Sequence, residues 1–303
     1  MPTGSLTLAT GRYLQHRRVR LPCLNVNHPH TFILCLKLIE ILIDLCLPHS
    51  SEPIQQLITK IYPHLDSLHD QSEESCLQYF SERAILAPLN LDVHELNKLC
   101  LDQMNGTTTT YSSVDVALDA GGGPDHSFPT EYLNTLNISG MPNHDLRLKV
   151  GCPIILLRSL NSFDGLCNGT RMIVTALRER VIEAKIASGT HRGQTAFIPR
   201  IPLVTSSSCA LSFTLRRRQF PVRLAFGMTI NKSQGDSAVL RREKTNFQGQ
   251  SLSIVGIQLL TPVFAHGQLY VALSRATDCD NVYVLLSSQD RKTMNVVYRE
   301  VLR

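Results

Sequence analysis

One stretch of the chain, from Phe220 to Gly235, combines residue types that suit contact with a phosphate-bearing ligand. Its middle part, Leu224–Ile230, is a short apolar run typical of a buried strand. Open α/β sheets commonly bind ligands where such a strand ends in small, polar and basic residues. Hydroxyl, amide and ammonium groups donate hydrogen bonds to phosphates without reading base identity. The candidate residues are Thr229, Asn231, Lys232, Ser233, Gln234 and Gly235.

A second stretch, Gly267–Asp278, offers a candidate catalytic cation. Apolar residues at helical spacing from Gln268 to Ala276 predict a helix, and Arg275 projects near its end. An arginine held in this way is a candidate for contacting a phosphate group. The alternative is a surface arginine that pairs with Asp278.

The charge distribution is uneven. Between Ala184 and Gly235 the chain carries eight lysines and arginines and no acidic residue, which predicts a polyanionic partner. Within this block Arg216, Arg217 and Arg218 are flanked by Phe213 and Phe220, so charge is available for phosphates and rings are available for stacking. Two alternatives stay open: a basic edge strand that only maintains solubility, and a surface neutralised by acids from elsewhere in the chain.

The regions around these stretches have an α/β pattern. Apolar residues at helical spacing from Ile54 to Ile61 predict a helix, Arg83–Pro88 predicts a strand, and Leu91–Met104 predicts a second helix. Thr107–Pro124 is rich in threonine, serine and glycine and predicts a flexible surface loop.

Several short strand patterns with tight turns follow, and they predict a small antiparallel β barrel. The strand patterns are Leu146–Leu157, Met172–Leu177, Val181–Ile186 and Thr195–Ile201, with a hairpin turn at Asn168-Gly169. We therefore predict an α/β domain interrupted by a β module. Its parts are an uncertain segment at 1–50, the first part of the α/β domain at 51–130, the inserted β module at 131–219 and the second part at 220–303.

Length and composition set the broad class. With 303 residues, 43% of them hydrophobic, and a net charge of +5, the chain can bury a real core. Nine cysteines without a CxxC pair predict free thiols in a reducing compartment and no metal site, and the pair His28 and His30 is a weak metal signal. No secretory signal is visible. Thr31–Leu47 is too short and too charged to span a bilayer, so we predict an amphipathic or buried helix there.

Five segments in order resemble the C-terminal half of Pif-type DNA helicases, including the helicase parts of Helitron transposons. They are SERAILAPLNLDVHELN, LRLKVGCPIILLRSLN, GLCNGTRMIV, RRRQFPVRLAFGMTINKSQG and GQLYVALSRAT. The resemblance runs from about Ser51 to Leu286 and places the chain in the RecD-like branch of helicase superfamily one. It implies a second RecA-like motor domain, of the P-loop NTPase type, with an inserted barrel of the Src-homology kind.

The resemblance also implies a function. Helicases of this family bind ATP and Mg²⁺ between two RecA-like domains and move 5′ to 3′ along single-stranded DNA. They act in DNA repair, recombination, telomere maintenance or Helitron transposition, which implies a nuclear or mitochondrial protein. By resemblance Arg275 reaches the γ-phosphate of ATP, and Gln234 and Gly235 lie toward the nucleotide cleft. The residues expected to face DNA are Thr229, Asn231, Lys232 and Ser233, with Arg216, Arg217 and Arg218 in the module.

Two departures from the family pattern change this expectation. The sequence contains no GxxxxGKS or GxxxxGKT phosphate loop and no acidic pair placed to hold Mg²⁺. We therefore expect a truncated helicase that binds neither ATP nor Mg²⁺ tightly by itself, with a separate chain carrying the first RecA-like domain as a partner. Asp236–Gly249 separates NKSQG from QSL, which indicates a fourteen-residue insertion. Together these departures suggest a degenerate transposon copy or a mispredicted gene product.

Two other functional hypotheses stay open at this point. The chain could be a non-catalytic module that binds single-stranded nucleic acid through its basic barrel alone. It could also lack any function because it does not fold stably.

Overall fold

The chain forms a mixed α/β structure. A computed structural model describes residues 34–119, 121–205, 211–231, 252–287 and 290–298. The helices are α1 Pro53–Ile61, α2 Glu73–Ser81, α3 Asn90–Gln103, α4 Thr130–Thr135 and α5 Gln268–Leu273, with 3-10 turns at Ile43–Leu45, Ser67–Asp70 and Cys279–Asn281. None of the described helices combines the length and the apolar character that crossing a bilayer requires.

The strands belong to two regions of the structure. Those before and within the module are β1 Leu34–Glu40, β2 Arg83–Ala87, β3 Thr109–Ser112, β4 Val114–Leu118, β5 Asp145–Leu148, β6 Pro153–Leu156, β7 Arg171–Leu177, β8 Val181–Ile186, β9 Thr195–Pro199 and β10 Ile201–Val204. Those that follow are β11 Thr214–Gln219, β12 Val222–Leu224, β13 Gly227–Thr229, β14 Ile254–Leu259, β15 Val282–Leu286 and β16 Lys292–Tyr298.

The centre of the α/β region is a four-stranded parallel sheet, which we call the motor sheet, with the order β13-β2-β14-β15. Helix α1 begins with a proline in its first turn and buries Leu57, Ile58 and Ile61 against this sheet. Gly256 in β14 allows this close approach, since a Cβ there would lie 2.7 Å from Ile61 Cγ1. The opposite face of the sheet packs on α5 through Leu269 and Ala272.

The module consists of antiparallel sheets. Its main sheet has the order β12-β6-β7-β8-β9, a second has the order β10-β11-β4, and a third pairs β3 with β5. The described strands form these separate sheets and do not close into a single ring. One continuous core runs from α1 and α2 into the main sheet of the module, because Tyr62 and Phe80 belong to the same buried cluster as Met172 and Ile198.

Local structure confirms several predictions and corrects others. The predicted helices near Ile54 and Leu91 are α1 and α3, and the predicted strand at Arg83 is β2. The predicted single strand Leu224–Ile230 is wrong, since the chain leaves the module sheet after Leu224 and enters the motor sheet at Gly227. Sequence periodicity cannot show this change of partner, because both halves are buried.

Two further predictions of local structure are wrong. The predicted helix Thr31–Leu47 contains β1, which pairs with β16 near the other end of the chain, and a 3-10 turn. The predicted loop Thr107–Pro124 contains β3 and β4, and β4 pairs with β11. Because β3 and β4 precede residue 131 and β12 follows residue 219, the module extends beyond the predicted boundaries 131–219 on both sides.

Candidate nucleotide and nucleic-acid sites

The first candidate site begins where β13 ends, at the carboxyl edge of the motor sheet. Asn97 of α3 holds this outer strand through both backbone groups of Gly227. Its Nδ2 donates to the Gly227 carbonyl over 3.2 Å, and its Oδ1 accepts from the Gly227 N–H over 2.9 Å. Thr229 is buried at 6% exposure and Asn231 is exposed. Of the two predicted residues that the structure describes at this edge, Asn231 is therefore the one that reaches solvent.

The second candidate site lies after α5, at the amino edge of the same sheet. The N–H of Leu252, two residues before β14, donates to the carbonyl of Arg275 over 2.8 Å. Thr277 then donates its N–H to the Leu252 carbonyl over 3.0 Å, so the backbone on both sides of Arg275 is paired like a strand. The half-buried side chain of Arg275 donates from Nε to the Val271 carbonyl and from Nη2 to Ser274 Oγ.

Asn231 and Arg275 thus lie at opposite edges of the motor sheet. The chain between Asn231 and Leu252 connects the carboxyl end of β13 to the amino end of β14, which lies on the other side of β2. Lys232, Ser233, Gln234 and Gly235 fall in this connection, outside the described residues, as does the predicted insertion Asp236–Gly249.

The three consecutive arginines of β11 do not act alike. Arg217 is fully buried and forms an ion pair with Asp115, from Nη2 to Oδ2 over 2.6 Å. Its guanidinium also donates to the carbonyls of Leu133, Leu136 and Pro142. The prediction that Arg217 contacts DNA is therefore wrong, because side chains alternate across a strand and residue 217 faces the interior.

Arg216 and Arg218 lie on the exposed face of the sheet β10-β11-β4. Each is flanked on both sides by aliphatic residues of the neighbouring strands. Arg218 lies between Pro202 and Val114, and Arg216 lies between Val204 and Val116. Val114 is 61% and Val204 43% exposed. We call these six residues the arginine face. It combines two cations with apolar side chains and contains no acidic residue.

The aromatic residues beside the arginines differ in exposure. Phe220 is fully buried with its ring 4.9 Å from that of Tyr111, so the prediction that it stacks on bases is wrong. Phe213 is half-buried and packs against Phe128 with ring centroids 4.1 Å apart, and its contact with bases stays a prediction. The arginine face itself offers charge and aliphatic surface.

Much of the remaining basic block is engaged within the fold. Lys185 Nζ lies 2.5 Å from Glu73 Oε2, and Arg192 Nη2 lies 3.7 Å from Glu74 Oε1, so the acidic first turn of α2 neutralises two cations of the module. Arg200 lies over the ring of Phe220 at 4.9 Å. Burial lowers the pKa of Arg223. For Lys185 and Arg192 the alternative interpretation therefore holds, in which acidic residues from elsewhere in the chain neutralise the basic block.

Sequence reasoning missed Arg171, which joins the module to the motor sheet. Arg171 is 2% exposed, and its Nη2 donates to the carbonyls of Arg83 and Ala225 over 3.2 and 3.1 Å. Burial lowers the pKa of this guanidinium. Beside it, Tyr62 donates its hydroxyl to the Phe226 carbonyl over 2.5 Å. Both bonds hold the segment that passes from β12 into β13, and no spacing in the sequence signals this contact.

One group of potential metal ligands occurs among the described residues. Asp278, Cys279 and Asp280 bring ligand atoms within 4.8 Å of one another on the exposed surface. Asp278 Oδ1 accepts the N–H of Asp280 and caps a 3-10 turn. Mg²⁺ prefers octahedral oxygen ligands, so this thiol-containing group does not fit it.

Comparison with known proteins agrees with this architecture. A family model described as the 2B domain of DNA helicase Pif1 matches residues 131–177, which include β5, β6 and β7. The chain is 29% identical over 194 residues to the ATP-dependent DNA helicase PIF1 of Xenopus laevis, a match that covers 64% of this chain and 26% of the relative. It is 31% identical over 199 residues to the enzyme of that name from Rattus norvegicus, covering 64% of this chain and 26% of the relative.

The chain therefore spans about a quarter of the length of the curated relatives it matches. A crystal structure of the Pif1 helicase from Candida albicans superimposes with a TM-score of 0.50 and 21% identity, covering 83% of this chain and 56% of that one. This likeness shows that the fold is shared. Over the part that these matches cover, the chain is similar to the Pif1-type DNA helicases.

Proposed function

We propose that this chain is the second RecA-like motor domain, with its inserted 2B module, of an ATP-dependent helicase that moves 5′ to 3′ along single-stranded DNA and unwinds duplexes. The observation that carries the proposal is the placement of Asn231 and Arg275 at opposite edges of one parallel sheet. A motor needs such a separation, because DNA and nucleotide must bind at different places on one domain.

The proposal assigns roles to named residues. We assign contact with the DNA backbone to polar and cationic groups: Asn231, Lys232, Ser233, Arg216 and Arg218. Thr229, at 6% exposure, is buried and takes no part in this contact. We assign contact with the nucleotide to Arg275, at the amino edge, and to Gln234 and Gly235. Because Arg217 is consumed by its buried ion pair, it has no part in DNA contact.

ATP and Mg²⁺ would serve the complete helicase. Arg275 fits the nucleotide, since its backbone is fixed on both sides. A guanidinium that stabilises charge on the transferred phosphoryl oxygens raises the rate by a factor of about 10³–10⁵. No described group of side chains fits Mg²⁺, and the sequence contains no phosphate loop. In this proposal another segment or another chain holds the phosphates and the metal ion, and the present chain completes that site.

The cellular role follows the family. We propose action on DNA in the nucleus, with mitochondria as the alternative location. Repair, recombination, telomere maintenance and Helitron transposition are the processes in which such a motor would serve.

The test uses the purified chain and a fluorescent single-stranded oligonucleotide. We expect weak, salt-dependent binding and no ATP turnover above a blank. Replacing both Arg216 and Arg218 by alanine should reduce the slope of log affinity against log salt by about 1.4, at about 0.7 per phosphate contact on a single strand. An unchanged slope would contradict the DNA role of the arginine face. ATP turnover by the isolated chain that Arg275→Ala abolishes would contradict its dependence on a separate first RecA-like domain.

A second candidate function is a non-catalytic module that binds single-stranded nucleic acid. The arginine face favours it, because this face is formed entirely within the module and needs no nucleotide. Supplying a first RecA-like domain separates the two functions. Nucleic-acid binding that never acquires ATP turnover under those conditions supports the module, whereas turnover that depends on Arg275 supports the motor.

A further inference from the structure

The loop between β6 and β7, residues 157–170, presents a phenylalanine to solvent. Phe163 is 92% exposed, the highest value among the large hydrophobic side chains that the structure describes as exposed. Isolated hydrophobic residues on a protein surface are common and need no explanation by themselves. What distinguishes Phe163 is the rigidity of the loop that holds it.

Hydrogen bonds on both sides fix the tip of the loop. Asn161 Oδ1 accepts the N–H of Phe163 over 3.0 Å, and Asn161 Nδ2 donates to Asp164 Oδ2 over 2.6 Å. The N–H of Leu166 donates to the Asn161 carbonyl over 2.8 Å and closes the turn. Thr170 Oγ1 donates to the carbonyl of Gly165 over 2.8 Å. The ring of Phe163 therefore projects from a backbone that is already ordered.

The loop is also anchored to the body of the module. Leu166, three residues after Phe163, is 8% exposed and belongs to the main core. Gly165 has a φ of 74° and lies against His191, so that a Cβ there would be 2.7 Å from His191 Cδ2. The chain thus buries the neighbouring leucine and leaves the larger aromatic ring outside.

The surroundings of the ring are polar. Ser162 and Asp164 are its exposed neighbours, and Arg158 is exposed where the loop leaves β6. The core of a protein interface needs a cluster of apolar side chains, whereas a nucleic-acid base needs one aromatic face. A ring on an ordered backbone also loses less conformational freedom on binding than one on an unordered loop. The guanidinium of Arg158, five residues before the ring in the same loop, suits the phosphate that accompanies the base.

We propose that Phe163 stacks on an unpaired base of single-stranded nucleic acid and that Arg158 neutralises an adjacent phosphate. This role rests on the proposed DNA-binding function and adds a base contact to a chain whose other assigned contacts are to the backbone. It is independent of base identity, because every base has a π face.

The first test measures the affinity of the full chain for an oligothymidylate of about 16 nucleotides. This length is the upper end of the site sizes of small domains that bind single strands. Phe163→Ala and Phe163→Leu should each weaken binding by roughly five- to one-hundred-fold, since leucine keeps the apolar volume without the ring. Phe163→Tyr should retain it. The control is Phe197→Ala, which removes another exposed ring, on β9, and should leave affinity within about threefold of wild type.

A second test exploits the absence of tryptophan from the chain. Phe163→Trp introduces a single tryptophan whose fluorescence the stacked thymines should quench. Half of the quenching should occur at the same oligonucleotide affinity that the anisotropy of the labelled oligonucleotide gives. An abasic oligomer of the same length has the charge without the bases. It should bind wild type and Phe163→Ala equally and leave the tryptophan unquenched.

The outcomes separate this inference from the proposed function. If oligothymidylate binds equally well to Phe163→Ala and leaves the tryptophan of Phe163→Trp unquenched, the base contact is overturned. The DNA-binding function then still stands. Absence of any oligonucleotide binding at low salt overturns both. Quenching by a protein partner in place of the oligonucleotide would overturn the proposal in favour of a docking role for the ring.

Discussion

At the scale of single residues, the run Arg216, Arg217 and Arg218 shows how one residue type serves two purposes. The run is basic in sequence, but strand alternation sends its two outer members to solvent and its central member into the module. Sequence could predict that the middle arginine faces the opposite side once β11 is recognised as a strand. It could not predict the partner, because Asp115 lies 102 residues away in β4.

The buried pair of Arg217 and Asp115 should be a strong stabilising feature. Replacing Arg217 by methionine leaves the Asp115 carboxylate buried without its partner, and breaking one side of such a pair typically costs about 3–5 kcal/mol. The free energy of unfolding, measured by urea denaturation followed by circular dichroism, should fall by this amount. Arg216→Met on the same strand is the matched control and should change it by less than about 0.5 kcal/mol. Equal losses in the two variants would show that the pair contributes nothing.

At the scale of elements, the strand predicted across Leu224–Ile230 is divided between two sheets. This division puts Thr229 and Asn231 at the end of β13 in the motor sheet. The motifs at Thr229 and Arg275 could be located from sequence, and α5 lies within the helix predicted from Gln268 to Ala276. The exchange of sheets at Ala225 depends on long-range hydrogen bonds to Arg171 and Pro153, which local patterns do not contain.

The contact between Asn97 and Gly227 should hold β13 in the motor sheet. Asn97→Leu removes the side chain that pairs with both backbone groups of Gly227, and each buried group left unsatisfied costs about 1–3 kcal/mol. Hydrogen exchange should show faster exchange of the Gly227 amide and lower stability of the whole chain. Asn90→Ala, an exposed change at the start of the same helix, is the control. Full protection of the Gly227 amide in Asn97→Leu would exclude this role.

The first described strand shows the limit of element prediction. The run Thr31–Leu47 has a hydrophobic content that suits a helix or a strand equally, and tertiary pairing decides between them. Its partner β16 lies at the other end of the described chain, with Leu34 opposite Tyr298. Only the fold brings these segments together.

At the scale of the whole molecule, the module and the motor sheet share one core, so they should unfold together. A buried thiol in this shared core gives a pH test. Burial raises the pKa of Cys152, which is 0% exposed, to about 12 from the usual value of 9.0. The folded state therefore keeps the proton that the unfolded state loses. The stability contributed by this thiol is complete below pH 9.0 and declines as the pH rises toward 12.

This linkage predicts a loss of up to about 1.4 kcal/mol per pH unit in that interval from one thiol. Cys152→Ala should reduce the slope of unfolding free energy against pH between about pH 9 and 10.5, whatever its effect on stability at neutral pH. Urea denaturation at several pH values checks it, with the slope compared between the variant and wild type. Identical slopes would show that Cys152 ionises equally in both states.

The chain spans about a quarter of the length of its curated relatives, so the proposed motor role is tested by supplying the first RecA-like domain that the proposal requires. A first RecA-like domain of a curated relative can be fused to this chain, and a fusion that binds single-stranded DNA can then be assayed for DNA-stimulated ATP hydrolysis. The two edges of the motor sheet predict a separation of effects. Arg275→Ala should lower kcat about 10³-fold, with DNA affinity unchanged.

The double change of Arg216 and Arg218 to alanine should do the reverse, weakening DNA binding while kcat at saturating DNA stays within about twofold. The decisive measurement is therefore kcat for ATP hydrolysis in the Arg275→Ala fusion at saturating DNA. The account predicts that nearly all turnover is lost while DNA remains bound. Turnover equal to that of the unmodified fusion would contradict it.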